Sequence, residues 1–258
     1  MDLELEGCVA IVTGASRGIG KAIALSLAGE GCDLAICARG DGTLQESAEE
    51  MRRAGAAVLA TALDVTSSGS AEEFVREVLK RFGRIDVLVN NVGGNRRKDF
   101  DQTTDLDWEE MIALNFQSHA RFSRLVIPTM KSQQSGVILF ISSIFGREAG
   151  GRGLSIYNTT KTALISLAKI MALELAPEGI RVNSIAPGSI RFPGGSWDRR
   201  CKEDPEGMDK FIAENLPLGR FGTAVELAHA VTFLASPKAA LITGACVNID
   251  GGQSRSLI

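Results

Sequence analysis

The feature that most constrains this chain is a short β-branched run that ends in a glycine-rich turn and passes directly into a helical repeat. Cys8–Thr13 reads CVAIVT. A run apolar at every position suits a strand covered on both faces. Thr13–Gly20 reads TGASRGIG, after which Ile19, Ile23 and Leu27 keep the spacing of one helix face within Gly18–Glu30. A helix N-terminus set at a strand's carboxyl end presents backbone N–H groups and a positive dipole, which suits a phosphate. The spacing is G-x3-G-x-G, and a turn of this kind alone can also be purely structural.

The same unit then repeats to the end of the chain. Strands are expected at Asp33–Ala38, Ala57–Leu63, Ile85–Asn90, Val137–Ser142, Ile180–Ala186 and Ala245–Ile249. Helices are expected at Thr43–Ala54, Ala71–Phe82, Asp105–Met130, Ile156–Ala176 and Val225–Leu234. Pro177 and Gly179 stop the second-last of these. Strands separated by helices need right-handed crossovers and parallel pairing. The expectation is an α/β fold: a doubly wound, Rossmann-like parallel sheet of about seven strands with helices on both faces. No linker composition breaks the alternation, so residues 1–258 are read as one domain. Pro187–Leu216 breaks the rhythm with prolines, glycine pairs and charges. A loop this long is a lid or is disordered, and its place after a strand's carboxyl end favours a substrate lid at about 188–216.

Composition narrows the function. Lys and Arg total 28 against 31 Asp and Glu, a net charge of −3 that lacks the basic balance of a nucleic-acid binder. No run of 18 apolar residues occurs, so no membrane span is expected. The opening MDLELEGCVAIVTG is acidic and lacks a secretion signal's basic start, and five cysteines without CxxC spacing give no disulfide framework or zinc site. A reducing cytoplasm is the expected setting. His119 and His229 are the only histidines and have no ligand cluster around them, so no metal is expected.

Several side chains carry chemistry. The end of the second strand reads Cys37-Ala38-Arg39-Gly40. An acidic residue there would bind the 2′-hydroxyl of NAD, whereas an arginine accommodates the 2′-phosphate of NADP. Arg39 and Arg17 therefore point to NADP(H), or are solvated surface charges, while Asp41 weighs mildly the other way. Asp64 ends the third strand and is read either as an acceptor for the adenine amino group or as the cap of the next helix. Tyr157 and Lys161 stand at i and i+4 at the start of a long helix, so they are neighbours. A cation one turn away lowers a phenol's pKa and makes it useful in proton transfer near neutrality. Ser142 and Ser143 end the fifth strand, as turn formers or as holders of a substrate oxygen. Asn115 is a poor helix-interior residue, which suggests a side-chain task or a packing role.

Taken in order, these motifs resemble the short-chain dehydrogenase/reductase family over nearly the whole chain. They are Thr13–Gly20, Asp64, Asn90–Gly93 (NNVG), Asn115, Ser143, Tyr157–Lys161 (YNTTK), Pro187-Gly188 and Ile242–Gly252. The resemblance implies an NAD(P) cofactor and hydride transfer to or from a carbonyl carbon. It implies catalytic roles for Asn115, Ser143, Tyr157 and Lys161, with Tyr157 as general acid in reduction. It implies that Gly14, Ser16, Arg17, Gly18, Ile19, Gly20, Arg39, Asp64, Val65, Asn91, Val92, Gly93, Pro187, Gly188 and Ile190 bind the cofactor along with Tyr157 and Lys161, and that Asn90 stabilises the sheet. Ser143 matches better than Ser142 because Gly146 completes the family's S-x-x-G. The 14 residues from Ser143 to Tyr157 are one more than usual, an insertion that Gly150, Gly151 and Gly153 can absorb. Phe192 stands where the family often has a threonine that contacts the nicotinamide amide, so that contact comes from backbone, Ser189 or Ser196, or is absent. Trp197 is a candidate substrate contact or a hydrophobic anchor of the lid.

Among family members the chain resembles 3-oxoacyl-acyl-carrier-protein reductases, with Pro217–Gly222 (PLGRFG) fitting that branch. Lys131 as the one charge before strand five, and Glu178 before strand six, weaken delivery by an acidic carrier protein. Arg96-Arg97-Lys98 would serve an acidic partner or a phosphate, or is a solvated run. The expected function is NADP(H)-dependent reduction of a 3-oxoacyl thioester or related ketone. The alternatives are a sugar or secondary-alcohol dehydrogenase and a non-catalytic cofactor-binding regulator; an enoyl reductase would use a longer Tyr–Lys spacing. The resemblance also implies a homotetramer through the two long helices, where His119, Phe122, Val126 and Met130 form a stripe that is interface or core.

Overall fold

The structure is a computed structural model that describes residues 1–257. Its elements in chain order are β1 (Val9–Thr13), α1 (Gly18–Gly29), β2 (Asp33–Ala38), α2 (Asp41–Arg53), β3 (Val58–Ala62), α3 (Ser68–Phe82), β4 (Val87–Asn90), α4 (Asp105–Ile112), α5 (Ser118–Gln133), β5 (Gly136–Ile141), α6 (Ser155–Leu175), β6 (Ile180–Pro187), β7 (Ile190–Arg191), α7 (Ser196–Glu203), α8 (Pro205–Asn215), β8 (Gly222–Thr223), α9 (Ala224–Ala235) and β9 (Cys246–Ile249). Among the described residues seven strands pair in parallel in the order β3-β2-β1-β4-β5-β6-β9. The expected single-domain α/β fold is the observed one.

The strand sequences explain why the sheet is covered twice. Side chains alternate across a strand. Ala10 and Val12 of β1 join one core with Leu34 and Ile36, beneath α1, α2 and α9. Val9 and Ile11 join the other with Phe74, Phe122 and Leu164, beneath α3, α5 and α6. Each fully buried Leu, Ile or Phe contributes about 1.5–3 kcal/mol, so both faces must be apolar for the sheet to hold.

The chain order reverses between β1 and β4, which are hydrogen-bonded neighbours through Ala10–Val87 to Val12–Val89. At such a switch point the crossovers leave in opposite directions and a crevice opens beyond the strand ends. Thr13, Asn90 and Ile141 end β1, β4 and β5 at this edge.

Two expectations change, and one open alternative closes. The helix expected over Asp105–Met130 is α4, then a π-helical segment Ala113–Gln117, then α5. Residues 188–216 are neither a structureless loop nor disordered: they fold into β7, α7 and α8, with Pro205 in the first turn of α8 and Asp204 capping it. His119, Phe122, Val126 and Met130 are buried within the protomer, so this stripe is core. Among the described residues no helix is long and apolar enough to cross a membrane.

Candidate active site

The glycine-rich turn is built by close backbone approach. Gly14 and Gly18 hold left-handed φ angles of +71° and +59°, which cost a residue with a Cβ. A Cβ on Gly20 would lie 2.3 Å from the Gly14 carbonyl oxygen and 2.5 Å from Asn91 Nδ2. That space admits Asn91, whose amide donates to the Thr13 and Gly14 carbonyls at 3.0 and 3.3 Å. Thr13 Oγ1 in turn accepts from the backbone N–H groups of Asn91 and Val92. Ser47 of α2 donates to the Ser16 carbonyl at 2.9 Å and fixes the turn from outside. Thr13 opened the glycine-rich motif in the sequence without a role of its own, and Ser47 had no signal beyond its residue type.

At the β2 end, Arg39 and Arg17 are exposed, and neither forms an ion pair among the described residues. Asp41 accepts from Gln45 at 3.0 Å in the first turn of α2. Asp64 does not cap α3: Ser67 does. One Asp64 oxygen accepts from the Thr66 N–H and hydroxyl at 2.9 and 2.8 Å. These bonds and the charge of Arg39 hold the carboxyl below its ordinary pKa, and its second oxygen stays open to a donor. Arg121 of α5 donates to the Val65 and Thr66 carbonyls, a tie between distant segments that sequence reasoning missed.

The four residues Asn115, Ser143, Tyr157 and Lys161 meet at the edge of β4 and β5. Asn115 is fully buried in the π-helical segment; such bulges expose side chains that a regular helix would turn away. Its Oδ1 accepts from the Gly94 N–H at 2.8 Å, and its Nδ2 donates to the Gly94 carbonyl and Thr160 Oγ1 at 2.9 and 3.1 Å. It clamps the loop after β4 that carries Gly93. Asn90, expected to stabilise the sheet, donates from β4 to Ser123 of α5 at 3.2 Å.

The two serines at the end of β5 have different partners. Ser142 donates to the Lys161 carbonyl at 2.8 Å. A Cβ on Gly146 would lie 2.8 Å from that same carbonyl, so Ser142 and Gly146 together seat α6 on the sheet. Ser143 faces Tyr157 and pulls its pKa down, but burial pushes the phenol up and outweighs it. The net shift of Tyr157 in the free protein is therefore upward, against the expected lowering. The Lys161 ammonium lies 5.8 Å from the ring centroid and donates to the Ile141 carbonyl at 2.8 Å. Burial lowers its own pKa to about 8.

These residues suit a nicotinamide dinucleotide. Lys161 is buried with three donors and one protein acceptor among the described residues. A Cβ on Gly93 would lie 3.2 Å from Lys161 Nζ and 3.6 Å from Asn115 Oδ1, so a gap is kept open beside the free donors. Hydroxyls of a ribose would satisfy them. The Gly188 N–H donates to the Ile249 carbonyl at 3.1 Å, fixing Pro187 and Gly188 beside β9, and Ile190 is buried. Ser189 N–H is taken by Gln253 at 2.7 Å. Phe192 packs its ring on the glycine-rich turn: a methyl on Gly18 would sit 2.6 Å from it. Trp197 stacks on Phe211 and Phe221 with ring centroids at 4.8 and 5.2 Å, which supports the anchor reading.

A family model described as Enoyl-(Acyl carrier protein) reductase matches residues 14–254. A 3-oxoacyl-[acyl-carrier-protein] reductase of Staphylococcus epidermidis is 37% identical over 245 residues, covering 95% of this chain and 98% of the relative. A tropinone reductase homologue of Arabidopsis thaliana is 39% identical over 249 residues, covering 96% and 80%. Among solved structures, L-sorbose reductase from Gluconobacter frateurii complexed with NADPH and L-sorbose superposes with a TM-score of 0.95, at 33% identity and full coverage of both chains.

Proposed function

The chain belongs to the short-chain dehydrogenase/reductase family and is an NAD(P)-dependent oxidoreductase, and from that premise we propose that it uses NADP(H) to reduce a ketone, with a 3-oxoacyl thioester or related ketone as substrate class. The observation that carries this reading is the convergence of Tyr157, Ser143 and Lys161 beside Gly93 and Asn115. When bound, the dinucleotide supplies the hydride. Tyr157 donates the proton to the oxygen that becomes the hydroxyl, and Ser143 orients that oxygen beside the phenol. Lys161 holds ribose hydroxyls through its free donors, and its charge favours the phenolate that proton donation leaves behind. Asn115 holds the Gly93–Gly94 backbone and supports proton return. Asn91, Val92 and Gly93 line the adenosine side, with Asp64 and Val65 at the adenine. Residues 188–216 form a lid over the substrate.

Two exposed arginines without carboxylate partners favour the 2′-phosphate, since a guanidinium pair on a dianion is a strong charge-assisted contact. The likeness to L-sorbose reductase favours a second reading, a sugar or secondary-alcohol dehydrogenase on the same residues. A non-catalytic regulator would have no use for all four catalytic side chains. Exposed Ile170 and Leu173 on α6 support a homotetramer, and the proposed setting is the cytoplasm. The test is equilibrium binding of NADPH and NADH to wild type and Arg39→Asp. NADPH is expected to win by more than about tenfold, roughly 1.4 kcal/mol, and the variant to lose that preference. Equal or better NADH binding by wild type would overturn the assignment.

A further inference from the structure

The Arg96-Arg97-Lys98 run resolves into three different situations. Arg96 pairs with Asp107 at 3.0 Å and with Glu110. Lys98 pairs with Asp107 at 2.6 Å. Asp107 is also the capping-box partner of Thr104 at the start of α4, and these contacts hold its carboxyl far below the usual range. Two of the three cations are thus spent on clamping the loop to α4. Arg97 has no carboxylate among the described residues. Its Nε donates to the Arg152 carbonyl at 2.9 Å, and its two terminal nitrogens have no acceptor among the described residues.

Arg97 stands in a cleft of about 350 Å³ lined by Arg97, Lys98, Asp99, Gln102, Arg152 and Gly153. The one carboxylate in that lining, Asp99, is held by both ends of the Arg152 fork. The charge left over in the cleft is that of Arg97. The neighbouring loop is shaped around this side chain. A Cβ on Gly151 would lie 3.1 Å from Arg97 Nη2, and one on Gly153 would lie 2.9 Å from its Cγ. Gly153 also holds φ +79°, and its carbonyl accepts from the Lys98 N–H at 3.2 Å. Gly151 and Gly153, two of the three glycines expected to absorb the extra residue between Ser143 and Tyr157, thus make room for the Arg97 side chain.

The cleft joins the loops that leave neighbouring strands β4 and β5. One loop passes Gly94, held by Asn115, three residues before Arg97. The other reaches Tyr157 four residues after Gly153. We propose that Arg97 determines specificity by binding an anionic group, carboxylate or phosphate, on the end of the substrate away from the reacting carbonyl. A planar fork with two free nitrogens matches either group bidentately. This inference rests on the ketone-reductase reading.

The test uses two matched pairs with wild type, Arg97→Ala and Arg97→Lys: levulinate against levulinamide, and 3-oxobutyryl-CoA against the 3-oxobutyryl thioester of N-acetylcysteamine. Wild type is expected to favour the charged member of one pair by about tenfold or more in kcat/KM. Arg97→Ala is expected to bring that ratio near one, mainly through KM, with NADPH affinity unmoved. Arg97→Lys is expected to keep part of it, because the charge stays and the fork is lost. Preference within the first pair identifies a carboxylate, within the second a phosphate. No preference in either pair overturns the proposal. So does an Arg97→Ala variant that slows charged and neutral members alike, since that is the signature of a strut between loops. If no member of either pair is turned over while NADPH still binds, ketone reduction has failed and not the anion site. Calorimetric titration of the NADP+-loaded protein with levulinate and with CoA then decides, and equal affinity in wild type and Arg97→Ala overturns it.

Discussion

Lys161 stands 5.8 Å from the centroid of the Tyr157 ring, one helical turn on, yet its hydrogen bond goes to the Ile141 carbonyl and not to the phenol. The cation is buried, and its pKa falls to about 8 from an ordinary 10.5. The unfolded chain therefore holds more protons between pH 8 and 10.5, and in that window stability rises with pH. Replacing the cation by a neutral chain of similar shape removes this penalty. Cofactor-free Lys161→Met is expected to be more stable than wild type at pH 7 by about 1–3 kcal/mol. The gap should close as the pH approaches 10.5, in urea titrations at a series of pH values. A gap independent of pH would mean that burial does not shift the Lys161 pKa.

His119 gives the opposite end of the scale. It is buried one helical turn after Asn115, its Nε2 lies 2.7 Å from the Val92 carbonyl, and its Nδ1 has no partner. Burial, with the nearby charge of Lys161, pushes its pKa down to about 3. Between pH 6.5 and 3 the unfolded chain takes a proton that the folded one refuses, so stability falls as the solution is acidified. His119→Gln is expected to flatten the loss between pH 6.5 and 4 by a few kcal/mol, read from melting temperature against pH. An unchanged slope would place the acid sensitivity elsewhere.

What the sequence showed and what it hid follow from range. The central strands were legible because burial on both faces makes them almost wholly apolar, as in Val87–Val89 and Val137–Ile141, whereas β3 (VLATA) and β6 (IRVNSIAP) mix in polar residues. The Tyr157–Lys161 pairing was legible because i and i+4 neighbours are fixed by helix geometry. The phenol's pKa was not, since it depends on burial by the whole fold. The π-helical segment around Asn115 was invisible because its five residues are too few to set a period of their own, although an asparagine inside a helix marked the place. Residues 196–215 read as loop because Gly194, Gly195 and Pro205 punctuate them, yet those residues start helices. Arg121, Ser47 and Thr13 act through partners more than 30 residues away, and nothing local announces that.

Phe192 and Gly18 touch where the family usually places a threonine. Gly18 sits at φ +59°, and a Cβ there would meet the Phe192 ring at 2.6 Å. Gly18→Ala is expected to destabilise the protein and weaken NADPH binding, through both strain and collision. In a Phe192→Ala background the collision is gone and the strain remains. The cost of Gly18→Ala should then fall by about 1 kcal/mol or more, the coupling found between residues in contact. A double-mutant cycle on urea midpoints checks this. Additive costs would mean that the ring does not rest on the turn in solution.

The segment assigned as a lid carries its own small core and its own ion-pair clamp. Trp197 stacks with Phe211 and Phe221, and Arg200 lies 4.9 Å from its ring centroid. Asp198 accepts from Arg191, from the Gly194 N–H at 3.1 Å and from Lys202 at 2.7 Å, and these donors hold its pKa down to about 2. An aromatic ring committed to two others has little face left for a substrate. Trp197→Ala is therefore expected to free α7 and α8 before it changes chemistry. Limited proteolysis should cut between residues 195 and 216 at least tenfold faster, as it does where local opening costs about 1.4 kcal/mol less. The same variant should raise KM for ketones of every size together. If cleavage stays slow while KM rises for large ketones alone, Trp197 touches the substrate, and the aromatic stack is not its main role.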